Sequence, residues 1–279
     1  MILVYRERPM KYFRMAGVVL CLLLIVSDKV YAQKIQISSD EIKRIGEKVF
    51  QNECAGKDEC LLQWNEGEEF ISLGIGHFIW YSEGKAGPFD ESFPLLIAYL
   101  KTTKQKIPSW LSVKPFPKCP WYSREDFLRN RKDRKAAELR KFLMATKTEQ
   151  SAFLVKRLDS ALPLMLKYTS WWKHDEIKRK FDRVSGTPSG IYALVDYINF
   201  KGLGVAPSER YNGKGWGLLQ VLSEMSGKEE GRKAVAEFVQ VAKKILAERV
   251  RNAPRERNEQ KWLPGWQKRV ESYLDVSKK

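Results

Sequence analysis

Histidine is nearly absent from this 279-residue chain: His77 and His174 are the only two. There are four cysteines, Cys21, Cys54, Cys60 and Cys119. Donors this sparse exclude the Cys/His clusters from which zinc sites are usually built, so neither a metal nor another cofactor is expected. Internal repeats and low-complexity tracts are also missing. So are zinc-finger, RNP and basic-zipper patterns, and nucleic acid is therefore not the expected partner. Negative charge is in short supply, with 34 Asp and Glu against 50 Lys and Arg, a net charge of +16.

Only one long apolar run is present, Met15 to Val26, twelve residues behind Arg6, Arg8, Lys11 and Arg14. A bilayer span needs about 20 residues. The basic front, the short apolar centre and Val30-Tyr31-Ala32 read as a cleaved secretory signal over 1–32, with a secreted or periplasmic destination. A retained anchor is the alternative. The mature chain, 33–279, would keep 45 Lys and Arg against 32 Asp and Glu, net +13, with no membrane span. That charge suits an anionic polymer such as cell-wall glycan with its peptide carboxylates.

Chemistry concentrates between Glu53 and Tyr81. Ser38 and Glu41 have capping-box spacing and open a helix. Ile42, Ile45, Val49 and Phe50 make its apolar stripe, and Glu53 continues that stripe four residues past Val49. Gly56 can end the helix with positive φ. Burying a charged carboxylate is costly. The expectation is a protonated Glu53 with a raised pKa, as a glycosidase's general acid requires. The alternative is an exposed helix-end glutamate, or one paired with lysine. Phe70 to Tyr81 is β-branched and aromatic enough for a strand. Alternation puts Ser72, Gly74 and Gly76 on one face, bare enough for a shallow cleft floor, and His77 on the other as a core histidine. A hairpin needing glycine for twist is the alternative.

Glu53, an acidic loop, Ser72 and then Gly74-Ile75-Gly76-His77 together resemble the catalytic lobe of phage-type lysozymes. The resemblance implies a lysozyme-like α+β fold, predominantly helical, with a small sheet or hairpin lobe. It casts Glu53 as the general acid, Ser72 as the hydroxyl that positions water, and Glu66, by its spacing before Gly74, as the second carboxylate. Glu68 and Glu69 compete with Glu66 for that role. The loop is a few residues longer than the family's, and Glu stands where the family has Asp. The stretch from Trp64 to Tyr81 is also similar to a group of secreted bacterial proteins with a lysozyme-like fold. Gly217-Leu218-Leu219-Gln220 resembles the Gly-Leu-Met-Gln of soluble lytic transglycosylases.

The implied function is acid/base cleavage of peptidoglycan. The alternatives are a lytic transglycosylase on the same fold and a non-catalytic envelope protein that binds glycan or a partner. Glu69, Gly74, Gly76, Asn199 and Gln220 are the candidate substrate-binding residues. Asp196 and Asn199 lie one helical turn apart and share a face.

The expected layout is a catalytic lobe at 33–105 with the hairpin and a helical lobe at 120–279. Helices are expected from Ser123 to Phe142, from Glu149 to Leu166, bent or interrupted near Pro163, from Ser189 to Phe200, from Glu229 to Val250 and from Gln267 to Leu274. The proline-rich loop Ile107 to Pro120 and its border offer Trp110 and Trp121 for stacking on sugar rings. Cys54 and Cys60 flank the loop beside Glu53 and can pair in an oxidising compartment. Pairing of Cys119 with either one is equally open.

Overall fold

The structure is a computed structural model that describes residues 37–87 and 89–277. The expected secretory signal lies outside them. Ser38 caps the first helix, α1 (Ser39–Cys54), through a reciprocal capping box with Glu41, and Ala55 ends it in the left-handed region. A three-stranded antiparallel sheet follows, built from β1 (Leu62–Gln63), β2 (Phe70–Leu73) and β3 (Phe78–Tyr81) in that order. Its register sets Gln63 opposite Ser72, and Leu73 opposite Phe78.

The expected single strand from Phe70 to Tyr81 is therefore a hairpin. Residues 74–77 make its turn, with positive φ at Gly74 and at His77. Alternation along one strand cannot describe such a segment, so the predicted facing of His77 and of the glycines fails with it.

The rest is helical. It comprises α2 (Phe93–Leu100), α3 (Arg124–Asn130), α4 (Arg134–Ala145), α5 (Lys147–Lys167), α6 (His174–Ser185) and α7 (Pro188–Lys201). A two-residue hairpin, β4 (Arg210–Tyr211) with β5 (Lys214–Gly215), leads to α8 (Leu218–Glu224), α9 (Gly231–Asn252) and α10 (Leu263–Glu271). The helix expected over Ser123 to Phe142 is two helices. Asp133 stops the first and caps the second by accepting from Ala136 N. α5 runs through Pro163 uninterrupted, its buried face packed on α1. Gly46 of α1 permits that packing, because a Cβ there would fall 1.6 Å from Ser151 Oγ.

Helix α7 is the axis. Thr187 caps it and Pro188 opens it. Every residue from Ser189 to Tyr197 is buried, which is what an all-round apolar sequence predicts. Helices α1, α5, α6, α8 and α9 pack around it. The core is continuous from the sheet (Leu73, Phe78, Trp80) to the last helices (Val270, Tyr273), and the described residues form one compact unit. Trp121 is buried in that core and Trp110 stacks on Trp80, so neither is displayed to a sugar as expected. Among the described residues, no helix is long and apolar enough to cross a membrane.

Candidate functional site

Four segments converge on Glu53. The residue sits in the last turn of α1 and lines an open recess of about 510 Å³ together with Lys57, Glu59, Leu62 and Gln63. From α10, Arg269 NH2 donates to Glu53 Oε1 at 2.6 Å. From α7, Asn199 Nδ2 donates to the same oxygen at 3.1 Å. From the hairpin turn, His77 Nδ1 lies 3.2 Å from Oε2. The side chain of Glu53 keeps 13% exposure and that of His77 18%, enough for solvent or a ligand to reach them.

Behind this layer Arg269 is locked by a second carboxylate. Asp196, 0% exposed, accepts from Arg269 Nε at 2.8 Å and from its NH2 at 2.9 Å, a bidentate pair. Tyr273 OH donates to Asp196 Oδ2 at 2.7 Å, and Asn52 Nδ2 donates to Oδ1 at 3.1 Å and to Tyr192 OH at 2.8 Å. A buried carboxylate on an all-apolar helix needs such partners, because an unpaired one would be expelled or protonated.

The electrostatics reverse the expectation for Glu53. Burial pushes its carboxyl up, but the adjacent Arg269 and the His77 hydrogen bond outweigh burial and hold it at about 2. Glu53 is thus an ionised carboxylate at rest, not the protonated acid that its place on a buried stripe suggested. The stripe argument accounted for desolvation and lacked the cation. Glu68 is the opposite case. Burial pushes its carboxyl above the usual range, against the Asn65 hydrogen bond (Nδ2 to Oε2, 3.1 Å) and the attraction of His77.

The loop carboxylates separate clearly. Glu66 lies on an exposed turn and lines a neighbouring recess rather than that of Glu53. Glu69 is exposed and ion-paired with Lys85 at 2.6 Å, which removes it from the expected substrate-binding set. Only Glu68 is partly buried and within electrostatic reach of His77. Ser72 is buried in β2 opposite Gln63, a residue of the Glu53 recess, and is not among the side-chain partners of Glu53.

Gly74 and Gly76 do not form a cleft floor. Both are buried against α5: a Cβ on Gly74 would stand 2.3 Å from Gln150 Oε1, and one on Gly76 3.0 Å from Leu154 Cδ2. Gln150 accepts from Ile75 N at 2.9 Å and so clamps the turn that aims His77. The bare face is needed for packing. Gln220 is structural as well, since its Oε1 accepts from Gly217 N at 3.0 Å and its Nε2 donates to Gly204 O at 3.0 Å.

A disulfide joins Cys54 to Cys60 and leaves Cys119 free and buried, with burial pushing its thiol up to about 12. His77 Nε2 lies 3.1 Å from Cys60 Sγ and 3.6 Å from Cys54 Sγ. The three atoms are spaced as metal ligands would be, yet sulfurs bonded to each other are not thiolates and cannot serve as such.

Arg269, His77 and Lys201 escaped sequence reasoning as site residues. The amine of Lys201 sits 3.3 Å over the Trp266 ring and 3.9 Å over that of Phe200, and burial pushes it well below its usual value. The one available signal was Asp196 on an apolar helix, which demands a cation without saying which of fifty supplies it. Compared with family models, curated proteins and solved structures, the chain matches none.

Proposed function

We propose that the protein is a secreted or periplasmic glycoside hydrolase of lysozyme-like fold that cleaves peptidoglycan. The supporting observation is Glu53, a residue of an open recess whose carboxylate is held by three separate elements, with Glu68, a carboxyl of opposite bias, coupled to the same His77. Environments that push two carboxyls apart are how glycosidases separate acid from base. In this reading Glu68, whose carboxyl is pushed up by burial, gives its proton to the leaving oxygen as the glycosidic bond breaks. Ionised Glu53 stabilises positive charge at the anomeric carbon and accepts a proton from the attacking water. The water's hydroxyl completes the new reducing end. His77 and Asn199 fix the Glu53 carboxylate, and Asp196 acts only by positioning Arg269.

A non-catalytic glycan-binding protein is the second reading. It is favoured by one observation, that Glu53 is already satisfied by Arg269. Digestion of purified peptidoglycan by the wild type, Glu53→Gln and Glu68→Gln, with products identified by mass spectrometry, separates the readings. New reducing ends from the wild type, lost by at least about 10³-fold in Glu53→Gln, are expected for the hydrolase. Anhydro-sugar ends would identify a transglycosylase, and no products from any wall type would leave the binding reading.

A further inference from the structure

A second recess of about 680 Å³ adjoins the first, with Glu59, Leu62 and Gln63 in the walls of both. Its far wall is α3, α4 and the link between them, which contribute Arg124, Arg140, and Arg131 with Lys132, respectively. None of these four cations joins an ion pair among the described residues, whereas their neighbour Arg129 is paired with Asp126 at 3.6 Å. Arg131 and Lys132 are exposed, and Arg124 and Arg140 half-buried. Arg124 Nε donates to Trp64 O at 3.2 Å, and Trp64 Nε1 donates to Glu68 O at 2.7 Å. The basic wall is therefore tied to the loop that carries Glu68. Glu59 and Glu66 line the same recess, so four cations face two carboxylates, and an anion relieves the excess positive charge. Trp64, Leu62 and Phe127 supply an apolar base on which a chain can lie.

We propose that this basic recess is a binding subsite for the carboxylates of peptide stems on the glycan, and that the strand passes from it into the Glu53 recess. The proposal rests on the peptidoglycan reading but concerns binding, so it stands or falls apart from cleavage. A recess of about 1340 Å³ between α6 and α8 is a different case. There Glu176, Asp182, Glu224 and Glu230 stand against Arg179, Lys180, Arg183 and Lys228, so its charge is balanced.

The test is sedimentation with insoluble peptidoglycan at about 0.1 M salt, where the Debye length is about 10 Å. The parent is the full protein carrying Glu53→Gln, so that binding is read without turnover. Adding Arg131→Glu and Lys132→Glu is expected to weaken binding by about tenfold or more. Amidating the peptide carboxylates of the peptidoglycan is expected to weaken the parent equally and to add nothing to the doubly reversed protein. Reversing Arg179 and Lys228 in the recess between α6 and α8 is the control and is expected to leave binding unchanged. Unaltered binding after amidation overturns the proposal without any variant, which covers the case where charge reversal impairs folding. Equal loss on carboxylate-free chitin oligomers, or loss confined to binding of nucleic acid, overturns it as well.

Discussion

The site has a helical half and a loop half, and the same residue type behaves differently in each. On the helical side, Glu53 and Asp196 are fixed by one arginine whose guanidinium bridges both, so burial is outweighed and the carboxylate of Glu53 stays charged. On the loop side, Glu68 is buried against neutral partners, Asn65 above all, and its carboxyl is pushed up. Glu209 repeats the loop-side behaviour elsewhere. It too is partly buried, it accepts from backbone N–H groups of residues 203–206, and it is also pushed up. Desolvation acts on all three glutamates, and a neighbouring full cation decides the sign.

The largest expected effect comes from removing that cation. Arg269→Gln leaves Asp196 buried against neutral donors, and it is expected to cost about 3–5 kcal/mol in denaturant unfolding. The same variant should change the pH dependence. Glu53 has a depressed folded-state pKa, so its contribution to stability is present above the ordinary value of 4.5 and is lost as pH falls to about 2. The wild type should lose stability through that window, and Arg269→Gln should lose measurably less there.

Next in size is the effect on turnover. The acid limb of the pH–rate profile should lie near 2, set by Glu53, and the alkaline limb should lie above the usual carboxylate range, set by Glu68. Glu68→Gln should abolish that alkaline limb together with most of the activity, and a limb that survives the substitution would assign it to another group.

A smaller effect is expected from the disulfide. Cys54 and Cys60 pack against His77, which holds Glu53. Reduction, or the pair Cys54→Ser with Cys60→Ser, should lower activity about tenfold while most global stability survives, because the closed loop spans only six residues of sequence. Circular dichroism and turnover measured on the same samples check both parts. A loss of fold as large as that of Arg269→Gln would contradict this ranking. The smallest stability effect should be that of Glu69→Gln, an exposed partner of Lys85, at about 0–1 kcal/mol by thermal melting.

The helical half was the more legible in the sequence. The capping box of Ser38 and Glu41 and the stripe of Ile45 and Val49 are local signals, and local signals place a helix. Asp196 and Asn199 were legible as one face because helical periodicity needs nothing beyond the helix. Arg269 was not, since it meets Glu53 across 216 residues of sequence. Gly74-Ile75-Gly76 alternates like a strand, and Gln150, which clamps the turn, arrives from α5, so the hairpin is not legible locally. The resemblance casts Glu66 as the second carboxylate by its spacing, yet the chain turns at 66–67 and Glu66 lines the neighbouring recess.

The most direct measurement is a carboxyl ¹³C NMR titration of Glu53 and Glu68 in the folded protein, assigned with Glu53→Gln and Glu68→Gln. The account predicts that Glu53 titrates near 2 and Glu68 above the ordinary 4.5, with Glu53 moving upward in Arg269→Gln. Glu53 titrating above 4.5, or the two carboxyls titrating together, would contradict it.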